Sequence, residues 1–355
     1  MSIRRYASYA PLLFTPAAVA LDLLAPEQHN LVFFLSVIAI MPLAGYIGRA
    51  TEQLAAHLGG GIGGLLNATF GNAAELIIGA LALRKGLPDL VKASITGSII
   101  GNVLLVFGAA ALVGGMRFKV QRFNRTAAGL GTTMLLLSAI GLVVPAVFHR
   151  LAQTRGPAPE LTLDTEIAVV LFLTYCASLV FTLHTHRQLY GVANHEEKPE
   201  GSVRGAVIML LASTAGVAVV SEVLVGAVAE AATAMGMTQL FVGVVIVALV
   251  GNAAEHYSAV VLAARDQMDA AIGIAVGSST QIALFVAPVL VFLSYVLGPA
   301  PMDLLFTTFE LVAIGLSVLS IAFIAHDGET HWMEGVQLLA VYAILALGFY
   351  FLPAS

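Results

Sequence analysis

The pentapeptide GNAAE occupies residues 71–75 and recurs unchanged at residues 251–255. Both copies lie within long apolar stretches of the chain. At the same offset of 180 residues, the dipeptide Gly-Ser at 97–98 is matched by Gly-Ser at 277–278, with no gap in the intervening loop. Two motifs in one register are better explained by an internal duplication than by chance. The sequence therefore predicts two related halves.

The composition is typical of a membrane protein. Of the 355 residues, 59% are hydrophobic and 10% charged, and the mean hydropathy is +0.93. Soluble domains carry about 25% charged residues, so lipid must be the solvent for much of this apolar surface. Cys176 is the only cysteine, which excludes a disulfide within the chain and a cysteine-based metal site. We predict an all-α integral membrane protein.

The apolar stretches predict about eleven transmembrane helices, since each span needs roughly 20 mostly apolar residues. We expect an extra N-terminal transmembrane helix in residues 1–30, a first repeat in 31–186, a cytoplasmic linker in 187–204 and a second repeat in 205–355. The candidate spans lie near residues 8–25, 31–50, 61–83, 89–115, 126–148, 165–183, 205–233, 238–264, 269–297, 303–325 and 335–352.

The N-terminal segment resembles a signal peptide in one respect, because Arg4 and Arg5 precede an apolar run. However, Pro11 and Pro16 interrupt that run and no clear small-x-small cleavage site follows, so we expect the segment to be retained. A cytoplasmic N-terminus and an external C-terminus put eleven of the loop lysines and arginines in the cytoplasm and five outside. This asymmetry agrees with the positive-inside rule.

The two GNAAE copies fall in the third and eighth predicted spans, so they cross the bilayer in opposite directions. Two inverted five-helix repeats follow from this, with the first helix outside the symmetry. Transporters with inverted repeats place their substrate sites near the bilayer midplane, between the repeats. The linker, which includes Glu196, is interpreted as a solvated connection between the two halves.

Glu75 and Glu255 are predicted to lie deep in their spans, where an ionised carboxylate costs a few kcal/mol or more. No Lys or Arg is predicted at the same depth, so the two acids call for a cation or protons. Asn72 and Asn252 precede them by three residues and share their helix faces. Carboxylate and amide oxygens suit a hard cation such as Ca²⁺, and the lack of soft ligands argues against Cu⁺ or Zn²⁺. The alternative is a neutral Glu that is hydrogen-bonded to a neighbouring helix.

Other polar residues are candidates for lining the site or a path to it. Glycines weaken a helix and free backbone carbonyls, while the remaining candidates for the lining carry hydroxyl or amide groups. The predicted lining comprises Gly71, Gly251, Ser98, Ser278, Asn102 and Gln281. The candidate proton or cation path comprises Glu222, Glu230, His256 and Glu310. Packing between helices is the competing role for the serines and for His256.

Four motifs together resemble the Ca²⁺/H⁺ exchanger family of the Ca²⁺:cation antiporter superfamily. They are GNAAEL at 71–76, GSIIGN at 97–102, GNAAEH at 251–256 and GSSTQI at 277–282. The resemblance implies eleven transmembrane helices, cation ligation by Glu75 and Glu255 with the two motif asparagines, and exchange of cytosolic Ca²⁺ for external protons. Gln281 stands near the position where sodium-coupled relatives carry an acid, which favours proton coupling.

We therefore expect a secondary transporter with Ca²⁺ and H⁺ as substrates, in contact with the lipid bilayer, without a cofactor and without a nucleic-acid partner. Exchange of Na⁺ for Ca²⁺, or transport of another divalent cation such as Mn²⁺, is the alternative. An enzyme is not expected, because no His-Glu-x-x-His sequence and no central intramembrane aspartate occurs. The short loops favour a bacterial plasma (inner) membrane, and a homo-oligomer remains open.

Overall fold

The computed structural model describes residues 10–58, 65–67, 69–152, 160–186 and 201–353, and almost all of them are helical. The helices are numbered in chain order. In the first half, a 3-10 turn at Ala10–Leu13 leads into α1 (Phe14–Leu24), α2 (His29–Leu58), α3 (Ala73–Arg84), α4 (Pro88–Arg117), α5 (Arg125–Ala152) and α6 (Glu160–Val180). In the second half they are α7 (Val203–Ala234), α8 (Gln239–Gly251), α9 (Ala253–Ala263), α10 (Met268–Leu297), α11 (Thr308–Ile324) and α12 (Trp332–Phe351).

Helix ends follow local chemistry. Pro88 stands in the first turn of α4, where its missing N–H costs nothing. Ser202 caps α7 by accepting a hydrogen bond from the Gly205 backbone N–H. After α7 the chain turns at Gly236, whose φ of +68° lies in the left-handed region that glycine tolerates.

Four π-helical segments interrupt or extend the long helices: Gly101–Val106 in α4, Phe181–Thr185 after α6, Val242–Val247 in α8 and Ile282–Val286 in α10. Those in α4 and α10 begin within the polar motifs at 97–102 and 277–282. Such widened turns are frequent at functional sites.

Seven helices within the described residues are long and apolar enough to cross a membrane. The bent pair of α8 and α9 makes eight if it forms one span, and α1 and α11 are shorter apolar helices. Every predicted apolar span that the structure describes contains a helix, which confirms the all-helical membrane class; the count of eleven stays a prediction. The predicted span at 303–325 begins late, because α11 starts only at Thr308.

One short strand pair joins two loops of this otherwise helical structure. Gln121–Arg122 pairs antiparallel with Glu329–Thr330 and joins the loop after α4 to the loop before α12. The Gln121 side chain is buried there and donates to the Ala263 carbonyl at the end of α9.

Small residues let the helices approach closely around the centre. A Cβ on Gly97 of α4 would stand 1.9 Å from the Val244 carbonyl oxygen of α8, so only glycine fits at this crossing. Likewise, a Cβ on Gly335 of α12 would stand 2.7 Å from the Gly108 carbonyl oxygen of α4. Close packing through small residues is the usual source of helix association in lipid, and it brings α3, α4, α8 and α10 around the two GNAAE motifs.

Candidate cation site

Both GNAAE motifs break the helix that contains them. Asn72 (φ −100°, ψ 19°) and Asn252 (φ −93°, ψ 9°) leave helical geometry, and new helices begin at Ala73 and Ala253. The axes of α8 and α9 differ by 62° across the second break. The weakening expected at the two motif glycines therefore takes the form of a full break in each case, and the predicted spans 61–83 and 238–264 are not continuous helices.

Each break places its glutamate in the first turn of the new helix, Glu75 in α3 and Glu255 in α9. The positive end of a helix dipole stabilises a carboxylate in this position. Glu75 is buried and Glu255 is partly buried. The Oε2 atom of each is buried and accepts no hydrogen bond from any residue that the structure describes. Since buried polar atoms are normally paired, both oxygens are available for a bound cation or a proton.

The two motifs face each other. A Cβ on Gly251 would stand 2.8 Å from Glu75 Oε1, and a Cβ on Gly71 would stand 3.8 Å from Glu255 Oε1. Each carboxylate thus lies against the glycine of the other motif. The structure brings together the two acids that the sequence singled out, while their role as ion ligands stays a prediction.

Amide and hydroxyl groups from α4 and α10 surround the motif asparagines. Asn72 Nδ2 donates to Gln281 Oε1 at 2.6 Å. Asn252 Nδ2 donates to Ser98 Oγ at 2.9 Å, and Asn252 Oδ1 accepts from Asn102 Nδ2 at 3.2 Å. Each motif asparagine is therefore held by the other half of the chain.

The Ser278 hydroxyl lies within hydrogen-bonding reach of the Glu255 carboxylate. With this contact, all ten residues predicted as ligands or lining lie in one region, at the two breaks and on the helices α4 and α10 beside them. The polar atoms they present are oxygen and amide nitrogen. In the described ranges, no three or more His, Cys, Asp or Glu side chains are grouped so that they could hold a metal ion. A cation here would therefore depend on two acids plus neutral oxygens.

A small internal cavity adjoins Glu75. The cavity volume is ≈ 10 Å³, about what a single water molecule needs. The lining comprises Glu75, Gly79, Val91, Ser94, Ile95, Ser98, Ile282, Val286 and Leu290. Ser94 was missed by sequence reasoning, although its position one helical turn before Ser98 could have indicated it.

The candidate path residues are not collected in one line. Glu222 forms ion pairs with Arg84 and Lys85 at the end of α3, and Glu230 is exposed. Glu222 is therefore paired, because the turn after α3 brings two cations against α7, and its place in a proton or cation path stays a prediction. Glu230 lies near the end of α7, where a solvated position is usual for an acid.

Glu310, another of the candidate path residues, is buried. It lies in the first turn of α11 and forms a capping box with Thr307. Its other oxygen accepts a hydrogen bond from Thr96 Oγ1 at 3.1 Å. Both oxygens are used, so a capping role accounts for this acid.

His256 lies beside the site. It lines a narrow crevice with Ser98 and with Tyr342 of α12, on a different face of α9 from its neighbour Glu255. This placement agrees with the packing role weighed for it.

Comparison with known protein families gives a match over most of the chain. The family described as sodium/calcium exchanger protein matches residues 29–184 and 205–351. The chain belongs to this family. The match confirms the resemblance drawn from the four motifs, and membership of a family of membrane exchangers supports the expectation that the chain is a transporter and not an enzyme.

Members with curated names are similar over nearly the full chain. The Ca²⁺/H⁺ antiporter of Synechocystis is 44% identical and the Ca²⁺/H⁺ antiporter ChaA of Bacillus subtilis is 45% identical. Each alignment covers 96% of this chain, and the two relatives are covered to 96% and 98%.

Solved structures of exchangers share the fold. The structure of native YfkE is 41% identical, with a TM-score of 0.81 over 96% of this chain and 100% of that one. A sodium–calcium exchanger structure, NCX_Mj, is 18% identical with a TM-score of 0.57 over 88% of this chain and 95% of that one. At that identity the likeness concerns the fold alone.

Proposed function

We propose that this protein is a secondary active transporter that exchanges Ca²⁺ for H⁺ across the membrane by alternating access, with Glu75 and Glu255 binding either Ca²⁺ or protons. The observation that carries the proposal is the pair of buried carboxylates at opposed helix breaks, each with an oxygen that no described residue satisfies. Relatives named Ca²⁺/H⁺ antiporters, 44–45% identical over nearly the whole chain, support the same conclusion.

The donor set suits Ca²⁺ as a transported substrate. Ca²⁺ takes six to eight oxygens at about 2.3–2.6 Å, and the two carboxylates supply up to four. We assign further neutral oxygens to the side-chain carbonyls of Asn72 and Asn252 and the hydroxyls of Ser98 and Ser278. Since Asn252 Oδ1 accepts from Asn102, ligation by that oxygen requires it to share or exchange this hydrogen bond.

Proton coupling follows from the pair of acids. Two ionised carboxylates in a dehydrated site repel each other and lack hydration, so an empty and doubly charged site is costly to enclose. A Ca²⁺-loaded site and a protonated site both avoid this cost. Either form can therefore pass through an occluded state, while the empty ionised form cannot, and this difference makes the protein an exchanger and prevents a leak.

The proposed architecture is an N-terminal helix in residues 1–30 followed by inverted repeats in 31–186 and 205–355. The reciprocal contacts of each glutamate with the other motif's glycine support a two-fold relation between the halves. The linker at 187–204 lies almost wholly outside the described residues. We further propose a bacterial plasma membrane, a cytoplasmic N-terminus and an external C-terminus, on the loop charges and the bacterial relatives.

Gln281 supports protons over Na⁺ as the counter-ion. The side-chain amide of Gln281 is neutral and accepts a hydrogen bond from Asn72. An acid at this position would add a third negative charge to the site. A site of two negative charges is balanced by one Ca²⁺ or two protons without a further cation. Exchange with Na⁺, or transport of Mn²⁺, is the competing function.

Uptake of ⁴⁵Ca²⁺ into inside-out vesicles under an imposed pH gradient tests the proposal directly. We expect uptake that depends on the gradient, is abolished by a protonophore and is unchanged when Na⁺ is replaced by choline. Uptake that requires a Na⁺ gradient and ignores the pH gradient would establish the alternative.

A further inference from the structure

A groove at one end of the helix bundle is lined by basic and aromatic side chains. Its lining is Gly115, Met116, Arg117, Phe118, Lys119 and Trp332. Its volume is ≈ 390 Å³, within the range of about 300–1,000 Å³ that is usual for small-molecule sites. The groove lies apart from Glu75 and Glu255, and the proposed transport mechanism does not use it.

The groove lies at the ends of two helices that are long and apolar enough to cross a membrane. Arg117 is the last residue of α4 and Trp332 is the first residue of α12. Gly115 lets the two meet, because a Cβ there would stand 2.3 Å from the Trp332 backbone nitrogen. Met116, 76% exposed, and the half-exposed Trp332 present apolar surface beside the charges. Tryptophan and basic residues are the side chains that anchor proteins at the lipid headgroup level.

The positive charge of the groove is not neutralised locally. Lys119 makes no hydrogen bond or ion pair with any residue that the structure describes, and Arg117 donates to the Ala264 backbone carbonyl at 3.0 Å. The lining contains no acidic residue. On the adjoining loop, Asp327 accepts a hydrogen bond from the Glu329 backbone N–H and Glu329 is paired with Arg122. Glu334 caps the start of α12.

We infer that this groove binds the headgroup of an anionic phospholipid, with Arg117 and Lys119 contacting the phosphate and Trp332 and Met116 contacting the glycerol and upper acyl chain. Basic pockets between transmembrane helices recognise such headgroups, and each basic side chain near an anionic surface contributes about a fivefold preference. The apolar wall distinguishes a lipid from free phosphate, because only a lipid fills both parts of the groove. Under the proposed orientation this is the cytoplasmic leaflet.

Trp332 is the only tryptophan of the chain, so tryptophan fluorescence reports on the groove. The full-length protein is reconstituted in bilayers of phosphatidylcholine and phosphatidylglycerol. In one sample the phosphatidylglycerol includes a minor fraction with brominated acyl chains. In the other sample the phosphatidylcholine includes the same fraction of brominated lipid. We expect brominated phosphatidylglycerol to quench Trp332 more strongly than brominated phosphatidylcholine. In the double variant Arg117→Gln/Lys119→Gln, the preference for phosphatidylglycerol over phosphatidylcholine should fall by about 25-fold, because each basic side chain contributes about fivefold.

Arg122→Gln is the matched control, because Arg122 is exposed near the groove but paired with Glu329 and absent from the lining. It should keep the wild-type preference. Equal quenching by both lipids in the wild type, or an equal loss in the control and the double variant, would overturn the inference. Inorganic phosphate is added in a further sample; if it removes the preference, the groove is a free-phosphate site and the lipid assignment is wrong.

Discussion

Glu75 Oε1 lies 2.8 Å from the point at which a side chain on Gly251 would place its Cβ. The carboxylate of the first motif therefore occupies space that exists only because the second motif begins with glycine. The converse contact, Glu255 Oε1 at 3.8 Å from a Cβ on Gly71, is looser. The two motifs make the same kind of contact, but at unequal distances.

Gly251→Ala should impair transport by displacing the Glu75 carboxylate. The added methyl group meets Oε1 inside the normal contact distance, so the carboxylate must move by several tenths of an ångström. We expect the apparent Ca²⁺ affinity to fall by about tenfold, equivalent to ~1.4 kcal/mol, in ⁴⁵Ca²⁺ uptake measured over a range of concentrations.

Gly273→Ala in α10 is the matched control for this substitution. A Cβ there would meet nothing within 4 Å, and alanine favours a helix over glycine, so transport should be unchanged. If Gly251→Ala transports like Gly273→Ala, the carboxylate position assigned to Glu75 does not matter for binding.

Glu75→Gln and Glu255→Gln should each abolish exchange. Glutamine keeps the shape but removes a negative charge needed for Ca²⁺ and a group needed for protons. Membrane insertion should remain normal, because a neutral amide is easier to place in lipid than an ionised carboxylate. The measurements are ⁴⁵Ca²⁺ uptake and the amount of protein in the membrane.

Glu196→Gln in the linker, which lies outside the described residues, should keep most of the activity. Wild-type uptake by Glu255→Gln would show that the site has been assigned to the wrong residues.

Ca²⁺ binding should weaken as the pH falls and should release protons. Protons and Ca²⁺ compete for the same carboxylate oxygens, so each bound Ca²⁺ displaces protons from a protonated site. Calorimetry without Na⁺, in buffers of different ionisation enthalpy near the pH of half-maximal transport, should give heats that depend on the buffer. Heats independent of the buffer would rule out direct competition at Glu75 and Glu255.

Glu222→Gln should leave most exchange intact. Glu222 pairs with Arg84 and Lys85 at a partly exposed surface, where its side chain is 40% accessible, and such pairs contribute about 0.2–1 kcal/mol. We expect a small decrease in the thermal unfolding midpoint in detergent. A double-mutant cycle with Arg84→Gln should give a coupling energy of this size. Loss of exchange in a normally folded Glu222→Gln protein would instead indicate a proton path through α7.

The sequence by itself determined the membrane class, the approximate helix positions and the residues at the candidate site. These depend on local quantities: apolar length decides a span, and a glycine followed by asparagine inside a span weakens the helix there. The duplication added one long-range inference, that the two motifs lie near each other. That inference needed no contact prediction, because the recurrence of the motif at a fixed offset already indicates which residues correspond.

Only the tertiary structure decided which side chains meet across the halves. The bonds of Asn72 to Gln281 and of Asn252 to Ser98 and Asn102 join residues between 150 and 209 positions apart. The pairing of Glu222 with Arg84 spans 138 positions. Such contacts depend on how helices cross and rotate against one another, which the close approaches at small residues control, and neither hydropathy nor spacing along one helix contains that information.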